Sequence, residues 1–195
     1  TSASGNMVVN IGADTTEISV ISLGGIVISN LIPVGGNQFD ESIMSYVRKN
    51  DNLLIGEKTA EGIKKQLASA FPTEDQSITV YGRNLVKGLP VKINVDSSMV
   101  FNSIVEQLYS IIDSIKYTLE RTPPEISSDI MESGIYITGG SATLLGLDKL
   151  ISDETGLKVN VCEDSANTVI NGLGRIIEDK KLANLAISSR KFGIN

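Results

Sequence analysis

The amino-acid sequence predicts an α/β domain in which a mixed sheet is flanked by helices and carries a smaller inserted α+β lobe. Short apolar runs typical of strands occur near both ends of the chain, and a long amphipathic helical pattern spans Ser98 to Arg121. A charge-rich segment separates the first strands from that helix. We therefore expect a larger lobe from 1–36 and 97–164, a smaller lobe from 37–96, and a C-terminal helix and tail from 165–195.

The chain opens with three predicted strands. The first is the apolar run 7–11, and the second is 18–23, in which apolar and polar residues alternate with the period of a half-buried strand. The third is the apolar run 26–34. Gly24 and Gly25 lie between the second and third runs, and glycine supplies the positive φ that two-residue hairpin loops need. We expect a hairpin turn at this glycine pair.

The segment that follows is predicted to form the smaller lobe. Asp40 and Glu41 precede apolar residues at helical spacing, which predicts a helix with an acidic first turn. A second helix is expected from about Lys58 to Leu67. Two strands near 78–81 and 91–95, joined by a glycine-bounded turn, complete this lobe.

Helices and strands alternate in the rest of the chain. The helix from Ser98 to Arg121 has one apolar stripe roughly 100° wide. That stripe consists of Val100, Ile104, Leu108, Ile111, Ile115 and Leu119, flanked by Val105 and Ile112. Pro123 and Pro124 end this helix. The later predicted elements are a helix at 125–132, a strand at 135–137, a helix at 147–154, a strand at 159–162 and a helix at 167–177.

Composition excludes several classes of function. The chain of 195 residues has no His and one Cys, Cys162, so Ser-His-Asp, Cys-His and His-ligated metal chemistry are absent from it. Cys162 is interpreted as a small buried hydrophobe. The net charge is −6 and the basic residues are scattered, so we expect no nucleic-acid partner. No apolar run reaches the ~20 residues of a membrane span, and we expect a cytoplasmic protein.

Two glycine-containing turns are candidates for binding phosphate. Residues 10–17, NIGADTTE, lie between two predicted strands, and their N–H groups and threonine hydroxyls could hold phosphate oxygens. Residues 138–141, TGGS, follow a strand, where the missing Cβ lets a ligand approach the backbone. The alternatives are a simple hairpin turn capped by Asp and Thr for the first, and an ordinary strand-to-helix connection for the second.

A third candidate lies on the second predicted helix of the smaller lobe. Glu61, Lys64, Lys65 and Ala68 occupy one helical arc because their offsets are three, four and seven residues. The alternative reading is a solvated charged face, which surface helices normally carry.

Together these three features resemble the actin, hexokinase and heat-shock chaperone ATPase superfamily. Six stretches are more specific and resemble the C-terminal half of the MreB/Mbl family of bacterial actins, over about residues 7–179. They are MVVNIG at 7–12, ISLGGIV at 21–27, LLIGEKTAE at 53–61, GRNLVKGLP at 82–90, LERTPPE at 119–125 and ITGG at 137–140. The resemblance implies one half of an actin-like, ribonuclease H-like ATPase fold.

The resemblance also implies the roles of particular residues toward ATP and Mg²⁺. Positions that match the turn for the β- and γ-phosphates are Gly12, Ala13, Asp14, Thr15 and Thr16. Positions that match the contacts to the α-phosphate and adenosine are Gly139, Gly140 and, at a place where glycine is common, Ser141. Positions that match the helix beside adenine and ribose are Glu61, Lys64 and Lys65.

Two departures from the family pattern affect the expected chemistry. Asn10 stands where the family has an Asp that helps to hold Mg²⁺, so one negative charge is lost. Ala13-Asp14 replaces a pair of glycines, and Asp14 is expected to repel phosphates. The family's other phosphate loop and its water-positioning glutamate lie in an N-terminal half that this sequence lacks. We expect no catalytic residue here, and weak or absent nucleotide and Mg²⁺ binding by this chain alone.

The function implied by the resemblance is that of a filament-forming cytoskeletal protein that organises cell-wall elongation and rod shape. Its expected partners are other protomers of the filament, a membrane-anchored adaptor of the RodZ type and the wall-elongation machinery. Membrane contact is expected only through those partners or the other half. The last helix is expected to return toward that half, leaving Val169, Ile170, Leu173 and Ile176 incompletely buried. The alternatives are another ATPase of the superfamily, or a scaffold that keeps the fold without using ATP.

Overall fold

The computed structural model describes residues 4–73, 76–179 and 182. In chain order its elements are β1 (Asn6–Ile11), β2 (Thr16–Ser22), β3 (Gly25–Ile32), α1 (Gly36–Asp51), β4 (Leu53–Leu54), α2 (Glu57–Leu67), β5 (Ser77–Asn84), β6 (Pro90–Asp96), α3 (Ser97–Glu120), α4 (Pro124–Ser133), β7 (Ile135–Thr138), a 3₁₀ helix (Gly140–Thr143), α5 (Leu147–Thr155), β8 (Val159–Val161) and α6 (Thr168–Glu178).

The larger sheet is mixed, as the sequence predicts. Its strand order is β3-β2-β1-β7-β8. The first three strands along the chain form an antiparallel meander, and β7 and β8 run parallel to β1. Because β1 and β7 are parallel neighbours, the segments that follow them leave the sheet at the same edge.

The second sheet is small and fully antiparallel. Its strand order is β4-β5-β6, and all three strands come from the segment between α1 and α3. The helices α1 and α2 of the same segment pack against each other, and α1 also packs against α3. The charge-rich segment therefore has a sheet and two helices of its own while remaining in contact with the helix of the larger lobe.

The long helix α3 buries the predicted apolar stripe. Five of its six stripe residues are almost completely buried, as is the flanking Ile112, and Leu119 is half-buried. The five are Val100, Ile104, Leu108, Ile111 and Ile115. The helix packs on the β2–β3 side of the larger sheet, on α1 and on α5. Its apolar period thus determines how it contacts both lobes.

The hairpin between β2 and β3 turns one residue earlier than predicted. Leu23 and Gly24 form the loop with φ values of 51° and 76°, and Ser22 pairs with Gly25. Leu23 therefore lies in the turn, where it is 78% exposed, rather than in the strand. Two successive positive φ values are what a type I′ turn requires, and they match the twist of the adjoining strands.

The start of α1 also differs from the prediction. The helix begins at Gly36, so its first turn contains no acidic residue. The N–H of Gly35 instead donates to the side-chain Oε1 of Gln38 at 2.9 Å, which is half of a capping box. Asp40, predicted for the first turn, lies further into the helix and is buried.

Helix α3 begins at a carboxylate cap, which gives a first testable prediction. One side-chain oxygen of Asp96 accepts hydrogen bonds from the Met99 N–H and the Ser98 hydroxyl, both at 2.7 Å. The Met99 bond is the main cause of a lowered Asp96 pKa. We expect Asp96→Ala to lower the free energy of unfolding by about 1 kcal/mol and Asp96→Asn by much less, as measured by urea denaturation.

The sign of the pH dependence follows from that lowered pKa. Because the folded pKa lies below the unfolded value of about 3.9, the contribution of Asp96 is complete above that pH. It is lost as the pH falls through the lower folded pKa. The stability difference between the parent chain and Asp96→Ala should therefore shrink under acidic conditions. A difference that stays constant down to pH 2.5 would contradict this account of the cap.

The last described helix exposes its apolar side. Val169, Ile170 and Leu173 are exposed and Ile176 is half-buried, as expected from the sequence. No residue of α6 is buried. Among the described residues, no helix combines the length and the apolar character needed to cross a bilayer.

Candidate functional site

Two glycine-containing turns lie side by side at one edge of the larger sheet. We call Gly12–Thr15 the first turn and Gly139–Ser141 the second turn. The first follows β1 and the second follows β7, and the register pairs Asn10 with Thr138 at the ends of these parallel strands. The topology thus brings together two segments that are far apart in the sequence.

The first turn is attached to the start of α1 through its carbonyl groups. The N–H of Gly36 donates to the Gly12 oxygen at 3.0 Å, and the N–H of Asn37 donates to the Ala13 oxygen at 2.7 Å. Within the turn, the Gly12 N–H donates to the Thr15 oxygen at 2.9 Å. Within the described chain, the N–H groups of residues 13–15 make no hydrogen bond, and these residues are exposed. They are therefore available as donors to an anion.

The second turn is tightly fitted against β1. Gly139 has a φ of 93°, and a Cβ placed on it would lie 2.3 Å from the Ile11 carbonyl oxygen and 2.7 Å from Oδ1 of Asn10. The Gly139 N–H and the Thr138 hydroxyl both donate to the carbonyl of Ser165, at 2.9 and 3.0 Å. Only glycine fits this position, and the side chain of Asn10 lies directly beside it.

Ser141 connects the two turns. Its hydroxyl donates to the Gly12 carbonyl at 3.1 Å, the same oxygen that accepts the Gly36 N–H. Three elements, the first turn, the second turn and the start of α1, therefore meet at one carbonyl oxygen. The residue directly after Gly139 begins a 3₁₀ helix of four residues rather than the helix expected after the glycines, which starts at Leu147.

A cleft of about 240 Å³ opens beside Ser141, between α2 and the segment after the second turn. It is lined by Phe39, Lys64, Lys65, Gln66, Ala68, Ser141, Thr143, Leu144 and Leu145. The carbonyl of Leu145 accepts the Ala70 N–H at 2.8 Å and the Ser69 hydroxyl at 3.3 Å, which joins the two walls at the base. Apolar walls with hydroxyl and amine groups at the rim suit a flat, partly polar ring.

The two lysines of α2 have different environments. The Lys64 ammonium lies 2.7 Å from Oδ2 of Asp40 and donates to the Gly36 carbonyl at 2.8 Å, and both charged side chains are largely buried. The Lys65 ammonium pairs with Glu61 at 2.6 Å on the surface. The hydrogen bond of that exposed pair lowers the pKa of Glu61 and raises the pKa of Lys65.

The structure brings most of the expected site residues together. The two turns adjoin each other, and Lys64 and Lys65 line the cleft on the other side of Ser141. Thr16 requires a correction, because it is fully buried and its hydroxyl donates to the Val34 carbonyl at 2.7 Å. Its hydroxyl therefore stabilises the chain around the first turn instead of adding a donor to the site.

Lys64 and Glu61 also differ from the expected arrangement. The Lys64 ammonium is held by Asp40 and Gly36, so it is neither a solvated charge nor free to bind a ligand. Glu61 lies on the helix beside the cleft, paired with Lys65, and is not among the lining residues. Cys162 is a half-buried free thiol.

Sequence reasoning missed part of the cleft wall. Phe39, Gln66, Thr143, Leu144 and Leu145 line the cleft but were not predicted. The proximity of Ser69 and Leu145 depends on a parallel bridge between distant parts of the chain. Leu144 and Leu145 closely follow the glycines, and two apolar residues next to a ligand turn were the available signal.

The fold and the site define the class of protein. A five-stranded mixed sheet with a turn at the end of each of its two central parallel strands, together with an inserted lobe beside the turns, is an actin-like fold. In agreement, the crystal structure of MreB5 of Spiroplasma citri bound to ADP superimposes with a TM-score of 0.88 at 36% identity, covering 95% of this chain and 56% of that one. Its AMPPNP-bound form gives a TM-score of 0.87.

The chain belongs to the MreB/Mbl family. The family model described as MreB/Mbl protein matches residues 1–184, which confirms the resemblance found in the sequence. The cell shape-determining proteins MreB of Escherichia coli (strain K12) and Mbl of Bacillus subtilis (strain 168) are each 45% identical over 177 residues, or 90% of this chain. The chain spans about half of these relatives, 51% and 53% of their lengths.

Proposed function

We propose that this chain is the nucleotide-binding half of an actin-like cytoskeletal protein that forms filaments and organises cell-wall elongation and rod shape. The observation that carries the proposal is the contact of Ser141 with Gly12, which makes the cleft continuous with the first turn. The names of the curated relatives, cell shape-determining proteins, and the ADP and AMPPNP bound to the Spiroplasma citri protein support it.

In the proposed arrangement, adenine and ribose occupy the cleft and the phosphates extend to the two turns. Leu144, Leu145 and the stem of Lys65 would contact the base, because apolar walls exclude water from both faces of a ring. The N–H groups of residues 13–15 would donate to the β- and γ-phosphates, and Gly139 and Gly140 would contact the α-phosphate and the adenosine. Lys64 would hold the site together from outside it.

Mg²⁺ would be held mainly by phosphate oxygens. Among the described residues, no group of three or more His, Cys, Asp or Glu side chains could hold a metal ion. The turns do offer the Asn10 amide oxygen and the Asp14 carboxylate, and Mg²⁺ in nucleotide sites commonly uses one or two protein oxygens with phosphates and waters. These residues fit a metal that arrives with the nucleotide, where it would neutralise phosphate charge.

The proposed partners are other protomers of a filament, a membrane-anchored adaptor of the RodZ type and the wall-elongation machinery. We propose that the chain acts in the cytoplasm at the inner face of the cell membrane, with no direct lipid contact from this half. The net charge of −6 argues against direct attraction to anionic lipid headgroups and nucleic acid.

A scaffold that keeps the fold without using ATP is the second candidate function. Neutral Asn10 beside Gly139 and the charged Asp14 in the first turn favour it, because both reduce the attraction of the site for Mg²⁺ and phosphate. The two candidates differ in one measurable property, which is nucleotide binding in the cleft.

Filling the cleft should abolish nucleotide binding. Ala68 lines the cleft at the end of α2, so Ala68→Phe places a ring where we propose the base. We expect Mg·ATP to bind the parent chain with millimolar affinity, shifting amide resonances of the two turns in NMR spectra. In Ala68→Phe we expect those shifts to fall at least tenfold. Weak binding is expected because the cleft is small and open to solvent on one side.

The matched control is Lys58→Phe, which adds the same ring to an exposed position of α2 outside the cleft. It should bind nucleotide like the parent chain. If saturating Mg·ATP leaves the amides of both turns unshifted in the parent chain, nucleotide binding is refuted and the scaffold is favoured.

A further inference from the structure

The first turn carries a fixed negative charge. Asp14 is exposed, and one of its carboxylate oxygens accepts a hydrogen bond from the Asn37 side-chain amide at 2.7 Å. The backbone N–H of Asn37 donates to the adjoining Ala13 carbonyl at 2.7 Å. The start of α1 therefore binds both the side chain and the backbone of the turn, and this holds the carboxylate beside the free N–H groups of residues 13–15.

No cation compensates this charge. Among the described residues, the ion pairs join Lys64 to Asp40, Lys65 to Glu61 and Lys116 to Glu154, and none includes Asp14. The lysine nearest the turns, Lys64, is committed to Asp40 and to the Gly36 carbonyl. Asn10, at the other side of the turns, is neutral. The site therefore presents donors to an anion together with one uncompensated negative charge.

The effect of that charge depends on the charge of the ligand. Repulsion between Asp14 and a bound polyphosphate grows with each negative charge placed near the turn. A triphosphate extends one phosphate further than a diphosphate and carries more charge at that end. A divalent cation bound to the phosphates removes most of this difference, because it neutralises the same charges.

We propose that Asp14 is a specificity-determining residue that makes this site prefer a nucleoside diphosphate to the triphosphate whenever no divalent cation accompanies the ligand. The inference rests on the proposed nucleotide site and specifies its ligand. With the cation present, the two nucleotides bind with similar affinity. Asp14 thus ties the acceptance of the triphosphate to the metal, although the carboxylate at the metal-linked strand position has been replaced by Asn10.

The test is a comparison of ADP and ATP affinities of the chain by ligand-observed NMR at low ionic strength, in EDTA and in Mg²⁺. In EDTA we expect the parent chain to bind ADP about fivefold more tightly than ATP. Asp14→Asn retains an oxygen for the Asn37 bond and removes the charge. It should improve ATP binding about fivefold in EDTA, improve ADP binding less, and change little in Mg²⁺.

Asp113→Asn is the matched control, since it removes one negative charge from an exposed position on α3. It should leave the ratio of the two affinities unchanged. The ADP preference of the parent chain should also shrink when salt is raised, because exposed charges are screened. Equal gains for ADP and ATP in Asp14→Asn, or no ADP preference in EDTA, would overturn the inference while leaving the nucleotide site intact. Loss of all binding, with no effect of Ala68→Phe, would instead refute the site itself.

Discussion

Gly139→Ala is expected to destabilise the chain by roughly 4 kcal/mol, the sum of a backbone strain and a steric overlap of about 2 kcal/mol each. The φ of 93° at this residue is strained for any side chain, and the new Cβ would lie 2.3 Å from the Ile11 carbonyl oxygen. That oxygen belongs to the central strand β1, which cannot move without disturbing its pairing with both β2 and β7. Urea denaturation followed by circular dichroism measures the loss.

Gly140→Ala is the control for this prediction. It lies next in the chain, its φ is not positive, and an added Cβ would meet nothing within 4 Å. We expect its free energy of unfolding to stay within about 0.5 kcal/mol of the parent value. Equal stability of the two variants would show that the second turn is not constrained against β1 as described.

The same substitution should also affect the site. Relieving the overlap requires the second turn to move away from Asn10 and Ile11, which would break the Ser141 contact to Gly12. Gly139→Ala should therefore weaken nucleotide binding more than Gly140→Ala, even at a urea-free temperature where both chains are folded. Stability and binding then report the same packing contact independently.

Elements with a regular apolar period were predictable from the sequence. The stripe of α3 repeats over six turns, so one phase of the helix satisfies all of its residues, and the structure buries them as predicted. The turn at Leu23 was not predictable to the residue. Both Gly24 and Gly25 permit positive φ, and the choice between them depends on the strand register, which includes an irregularity between Val20 and Ile21.

In the site, local signals succeeded and long-range ones failed. The glycines of both turns were recognisable because their backbone requirements are local. The role of Thr16 was not, since the side on which its hydroxyl lies depends on the pleat of β2 and on the position of Val34. The cleft wall at Leu145 and the partner of Lys64 also depend on contacts between separate elements, which a single sequence does not reveal.

Lys64→Met should be the most damaging change in the smaller lobe, lowering the free energy of unfolding by about 3 kcal/mol. The variant leaves the buried Asp40 carboxylate without its cation, and Oδ1 of that carboxylate already has no hydrogen-bond partner among the described residues. It also removes a donor from the Gly36 carbonyl, at the start of the helix that holds the first turn. The loss arises from an uncompensated buried charge, and urea denaturation measures it.

Two further variants separate this explanation from a general loss of helix packing. Lys65→Met removes the neighbouring exposed ammonium and should cost about 0.5 kcal/mol or less. In the double variant Lys64→Met, Asp40→Leu, the buried charge is removed together with its partner, so most of the 3 kcal/mol should be recovered, apart from about 1 kcal/mol for the Gly36 carbonyl. A double variant no more stable than Lys64→Met alone would show that the pair does not act through charge. The cycle therefore measures the coupling that joins α2 to α1 and, through Gly36 and Gly12, to both turns of the site.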